Sequence, residues 1–149
     1  MAMILLPPDL KDFLRLLNSN KVEYLLVGGY AVGYYGYPRA TGDMDIWIAR
    51  NPDNAANVMT VLQAFGFGSS SVLPTLFLTP DKVFRMGNPP LRIELLTDIS
   101  GVEFADCWES REVTMIEDII VNIINLDDLK RNKLASGRMK DKNDLKHLP

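Results

Sequence analysis

"LLVGGYAVGYYGYPRATGDMDIWI", residues 25–48, joins two apolar runs through a Gly-Gly pair and sets Asp43 and Asp45 one residue apart inside the second run. The first run, "VEYLLV" (22–27), is continuous and ends at Gly28-Gly29, the pattern of a buried strand. Residues 30 to about 36 read as a short helix, and "DMDIWIA" (43–49) as a second strand. On a strand, residues i and i+2 project to one side, so Asp43 and Asp45 stand together. Two carboxylates that close repel unless a proton or a cation lies between them. A divalent metal is the economical solution, and hard cations such as Mg²⁺ take carboxylate and phosphate oxygens.

Two metals call for a third acid. Glu94 in "LRIELLTD" (91–98) lies mid-strand between Ile93 and Leu95, where a charge needs a reason. It shares its side with Arg92 and Leu96, so it is either that acid or an exposed alternate position. Gly28-Gly29 admits close approach of a ligand to the backbone, with free N–H groups for phosphate, or makes a plain tight turn. The dinucleotide fingerprint G-x-G-x-x-G fails because Tyr30 takes its third position, and no G-K-[ST] follows.

The rest of the chain supplies a mixed α and β order around this segment. "PPDLKDFLRLLNSN" (7–20) has Leu10, Phe13, Leu14 and Leu17 at helical spacing. "NPDNAANVMTVLQAFGF" (51–67) is a helix capped near Asn51 and closed at Gly66. After a Ser-rich loop at 69–71, "KVFRMG" and "LRIELL" flank "NPP" as a hairpin. "GVEFADCWES" is a short helix, "EVTMI" and "IIVNII" are short strands, and 126–148 is helical with a break at Gly137. The fold class is α+β, a small mixed β-sheet with flanking helices, in one domain over 1–149.

Composition sets limits. Of 149 residues, 47% are apolar and 23% charged, so the chain folds rather than staying disordered. The single Cys107 excludes an intrachain disulfide or a cysteine metal cage, reads as a helix residue near Phe104 and Trp108, and suits a reducing cytoplasm. "MAMILLPPDL" lacks a basic segment and meets two prolines, so it does not read as a signal peptide. No run is long enough to span a membrane. Net charge is −3, yet residues 128–147 hold seven Lys/Arg against three Asp, a basic segment at 126–149 behind an acidic body. This is either an anion-binding tail or a solvated helix face. Tyr30, Tyr34 and Tyr37 at helical spacing read as packing on the sheet, and His147 has no visible partner.

The order strand, Gly-Gly, short helix, then R-x-T-x-D-x-D opening a strand resembles the nucleotidyltransferase superfamily typified by DNA polymerase beta. Within it, the chain resembles the minimal nucleotidyltransferases and the AbiEii-like toxin branch. The matching residues are Gly28, Gly29, Arg39, Thr41, Asp43 and Asp45, then "RIELLTDISGVEF" with Glu94. "DLKRNKLASGRMKDKNDL" resembles the C-terminal motif of the AbiEii-like branch through Lys133, Ala135, Arg138, Lys140, Asp141 and Asp144. The two blocks lie near opposite ends, so the resemblance spans most of the chain.

The resemblance implies Mg²⁺-dependent transfer of a nucleoside monophosphate from a nucleoside triphosphate to a hydroxyl. Two Mg²⁺ ions, with Mn²⁺ as a substitute, would sit on Asp43, Asp45 and Glu94. Gly28 and Gly29 would cradle phosphates, and Lys133, Arg138 and Lys140 would neutralise the triphosphate or pyrophosphate. Arg39 either forks onto a phosphate or anchors its loop, and Thr41 is a phosphate contact or a strand cap. Asp144 positions an acceptor or acts as a base, while Arg138 and Asp141 also fit an intrahelical ion pair. The acceptor implied is a hydroxyl of tRNA or another RNA, of a protein or of a small molecule, with an antitoxin as partner. The third acid is Glu where Asp is usual, which extends its oxygens by one methylene. That departure and the short chain favour a second reading, an inactive nucleotide-binding or protein-interaction module of a toxin–antitoxin system.

Overall fold

A computed structural model describes residues 6–39, 41–67, 72–88 and 91–149. The Ser69–Ser71 loop, the Pro89-Pro90 turn and the first residues of "MAMILLPPDL" lie outside the described residues.

The helices begin and end where the local chemistry directs. Helix α1 (Pro8–Ser19) starts with proline in its first turn and buries Leu10, Phe13, Leu14 and Leu17. Helix α3 (Pro52–Ala64) starts at Asn51, whose side chain accepts the Asn54 N–H. Asn54 is itself buried and hydrogen-bonded to Glu23 and Ala49, tying α3 to the start of the first strand and the adjacent end of the second. A 3-10 turn at Pro74–Leu78, absent from the sequence reading, brings in Phe77.

Six strands form one mixed sheet. Their ranges are β1 (Tyr24–Val27), β2 (Asp43–Ile48), β3 (Val83–Asn88), β4 (Leu91–Leu96), β5 (Glu112–Ile116) and β6 (Ile119–Ile123), in the order β3-β4-β2-β1-β6-β5. Hairpins β3–β4 and β5–β6 are antiparallel and form the two ends of the sheet. Between them β1 and β2 run antiparallel, while β2–β4 and β1–β6 are parallel. The central strand β1 is buried at every residue, as its unbroken apolar run requires. In β2 the alternation buries Met44, Ile46 and Ile48 and leaves Asp43 and Asp45 only partly covered.

One difference bears on the site. Helix α2 (Gly28–Tyr34) begins at Gly28 itself, so the glycine pair forms the first turn of the helix rather than a connection ahead of it. Gly28 has φ +67°, a left-handed geometry that turns the chain directly from β1 into α2. Tyr30 and Tyr34 are buried as expected, whereas Tyr37 stacks on His147 at 4.0 Å between ring centres.

Helix α4 (Phe104–Glu109) sets Phe104 edge-on to Trp47 and buries Cys107. Helices α5 (Leu126–Ser136) and α6 (Met139–His147) meet at Gly137, which closes α5 in the left-handed conformation. The α+β class, with helices flanking a mixed sheet, is as the sequence predicts.

Candidate active site

Asp43, Asp45 and Glu94 meet because β2 and β4 pair in parallel, in a register that sets Asp45 beside Glu94 and Asp43 beside Arg92. On the other flank of β2, Asp45 pairs with Val27, the last residue before the glycine pair. Asp45 Oδ2 lies where a Cβ at Gly28 would stand, and the Thr41 hydroxyl takes the same relation to Gly29, at 2.9 Å. Both glycines therefore leave space for site side chains.

A cleft of about 260 Å³ opens over these residues. Gly28, Gly29, Arg39, Thr41, Asp43, Asp45, Glu94, Lys133, Arg138 and Lys140 all line it. Asp144 is fully buried behind this wall, under Lys133 and Arg39. The far wall is the loop after β4, which Gly101 lets settle on α5; its Cβ would stand 3.1 Å from the Arg131 carbonyl.

The basic residues of the wall are mostly matched already. Arg39 forks onto Asp144 at 2.7 and 2.9 Å. Lys133, itself buried, lies 3.1 Å from Asp141 and 3.2 Å from Asp144. Arg138 forks onto Asp141 at 2.8 and 3.2 Å, and its backbone N–H donates to the same carboxylate. Arg138 stands at the start of α6 rather than inside it. Burial alone would raise both aspartates, but the paired cations outweigh it and hold both carboxyls below the usual range. Three cations face two carboxylates here, so the wall presents net positive charge. Thr41 Oγ donates to the Asp43 carbonyl at 3.2 Å, the strand-capping option.

The acids differ sharply from one another. Arg92 forks onto Asp43 at 3.0 and 3.2 Å and lowers its pKa. Arg85, opposite Glu94 on β3, reaches Glu94 at 3.1 Å. Asp45 is pushed up to about 7, first by burial and then by the charges of Glu94 and Asp43. Lys140, exposed at the rim, lowers both aspartates, adding to Arg92 at Asp43 and opposing the rise at Asp45.

The donor set suits a hard divalent cation. Three carboxylates stand on adjacent in-register positions, and a divalent ion would offset the burial and the neighbouring charges that push Asp45 up. Among the described residues no three His, Cys, Asp or Glu side chains are already drawn to ligand spacing. Asp43 and Glu94 instead each hold a guanidinium. The sequence places Arg92 on the same side as Glu94 but gives no sign that it pairs with Asp43, nor that Arg85 pairs with Glu94; both contacts cross between strands.

Comparison with known families and with curated proteins returns no match. Among solved structures, the chain is similar to a crystal structure from Thermotoga maritima described as that of a candidate nucleotidyltransferase. The two are 17% identical, with a TM-score of 0.64 over 92% of this chain and 88% of that one. The chain has a nucleotidyltransferase-like fold. No helix among the described residues is long and apolar enough to cross a membrane.

Proposed function

We propose that the chain is a Mg²⁺-dependent nucleotidyltransferase that moves a nucleoside monophosphate from a nucleoside triphosphate to a hydroxyl acceptor. The observation that carries this reading is the alignment of Asp43, Asp45 and Glu94 across β2 and β4, beside the Gly28 backbone. In this reading Asp43 and Asp45 hold Mg²⁺, or Mn²⁺ in its place, and Glu94 completes the acceptor-side position. When bound, the metal supplies Lewis-acid polarisation of the phosphoryl group and a lower pKa for the attacking hydroxyl. The Gly28 and Gly29 amides take phosphate oxygens on the cleft floor. Lys140 at the rim and the net positive wall of Arg39, Lys133 and Arg138 screen the departing pyrophosphate. Asp144 contributes by fixing Arg39 and Lys133 in that wall.

The resemblance to the AbiEii-like branch supports a toxin-like enzyme of the cytoplasm, with tRNA, another RNA or a protein as acceptor and an antitoxin as partner. A second reading, a nucleotide-binding or protein-interaction module without turnover, is favoured by the guanidinium contacts on Asp43 and Glu94.

Incubating the protein with each α-labelled triphosphate, Mg²⁺, total cellular RNA and protein separates the two. Label transferred to an acceptor, and lost in Asp45→Asn, supports the enzyme. Triphosphate binding without transfer supports the module.

A further inference from the structure

We propose that Arg92 is a phosphate-binding residue held in reserve by Asp43. A divalent cation and the Arg92 guanidinium compete for one carboxylate, and the guanidinium released by the cation forks onto the phosphate of the ligand. This rests on the reading of Asp43 as a metal-binding residue.

The Arg92 contact is built differently from the ion pairs around it. Its Nε and Nη2 use both oxygens of Asp43, so the fork covers the atoms a cation needs. Yet both side chains are about one-third exposed. An ion pair that open to water is weak and exchanges readily. The Arg39 contact with Asp144 shares the fork geometry, but that carboxylate is fully buried and holds Lys133 as well, so it is fixed. Glu94 meets Arg85 through one guanidinium nitrogen, from a side chain 59% exposed.

Arg92 has an anchored backbone and a free flank. Its N–H donates to the Gly42 carbonyl at 2.7 Å, which fixes the Cα beside Asp43. Across the hairpin its partner on β3 is Gly87, so the position directly opposite it carries no side chain. The long side chain can therefore turn from Asp43 towards the cleft mouth without moving the sheet. A guanidinium fits two phosphate oxygens as well as two carboxylate oxygens.

Linkage follows from the shared carboxylate. A cation arriving alone must displace Arg92 and leave it unpaired, so it binds weakly. A cation arriving with a polyphosphate gives Arg92 a new partner, so the two ligands strengthen each other by the same factor. Arg92 thereby restricts metal occupancy to the moment when a phosphate ligand is present.

Two binding measurements test this without any turnover. The first titrates Mn²⁺ alone, followed by its electron paramagnetic resonance signal, into the wild type, Arg92→Ala, Arg92→Lys and Asp45→Asn. The second titrates inorganic triphosphate calorimetrically at saturating Mg²⁺, with far-ultraviolet circular dichroism confirming that each variant is folded. Arg92→Ala is expected to bind Mn²⁺ about fivefold tighter and triphosphate about fivefold weaker, the scale of one exposed ion pair. Arg92→Lys, with the charge but no fork, is expected to fall between on both. Mn²⁺ affinity unchanged or weakened in Arg92→Ala, beside a wild-type site that Asp45→Asn abolishes, overturns the exchange and leaves the metal site standing. Mn²⁺ binding indifferent to Asp45→Asn overturns the metal reading and the exchange together.

Discussion

The Asp45 carboxylate rests against the Gly28 backbone, its Oδ2 occupying the place of a Cβ on that glycine. The contact joins the end of β1 to the middle of β2, so the Asp45 carboxylate and the first turn of α2 hold one position between them.

Gly28→Ala tests that contact. The substitution meets both the Asp45 carboxylate and a φ of +67°, so the backbone strain and the displaced side chain add. A loss of about 2 kcal/mol is expected from urea unfolding, with weaker Mn²⁺ binding because Asp45 is moved. Unfolding at the wild-type midpoint would remove the reason for a glycine here.

Asp45 also sets a pH dependence. Its folded pKa of about 7 lies above the ordinary carboxylate value, so the native state binds more protons than the unfolded chain between about pH 4 and pH 7. Stability is therefore lost as pH rises through that window. Asp45→Asn, which cannot ionise, is expected to be more stable than wild type by about 2 kcal/mol at pH 8, halving the full conversion because the cleft is solvated. The difference should vanish near pH 4, and paired unfolding curves at the two pH values check it.

The buried network at α5 and α6 carries the opposite sign. Asp141 and Asp144 have folded pKa values below the unfolded one, so they stabilise above about pH 4 and lose that contribution as pH falls further. Lys133→Met removes the cation the two carboxylates share, and a loss of about 3 kcal/mol is expected from chemical denaturation at pH 7. Its stability should recover relative to wild type as the pH is lowered below 4.

Much of this arrangement is legible in the sequence because it depends on local pattern. The alternation in "DMDIWI" places Asp43 and Asp45 on one side, Asn51 and Pro52 mark the start of α3, and Gly137 marks the break between α5 and α6. The start of α2 is obscured because glycine propensities argue against a helix, while Gly28 uses its left-handed freedom to begin one. The sheet order is not legible either, since β4 joins β2 across 48 intervening positions, as the pairing of Asp43 with Arg92 shows. The same holds for charge. The spacing of Arg138 and Asp141 does announce their ion pair, but Lys133 and Arg39 read singly as phosphate ligands, and folding brings Arg39 to Asp144 over a separation of 105 residues, so these cations meet carboxylates first.

Cys107 should be inert in the folded chain. It is fully buried and its thiol is pushed up to about 12, first by burial and then by the Asp128 charge. Thiol-reactive reagent at pH 8 is expected to label it only after denaturant is added; prompt labelling of the native protein would show that α4 does not pack as described.

The central claim is that neighbouring acids on β2 and β4 gather a divalent cation under a triphosphate. The most direct test is a crystal structure with Mg²⁺ and a non-hydrolysable nucleoside triphosphate. The account predicts Mg²⁺ on Asp43 and Asp45, phosphate oxygens over Gly28 and Gly29, and Arg92 turned off Asp43. Asp43 still held by Arg92, with the triphosphate bound away from Asp45, would contradict it.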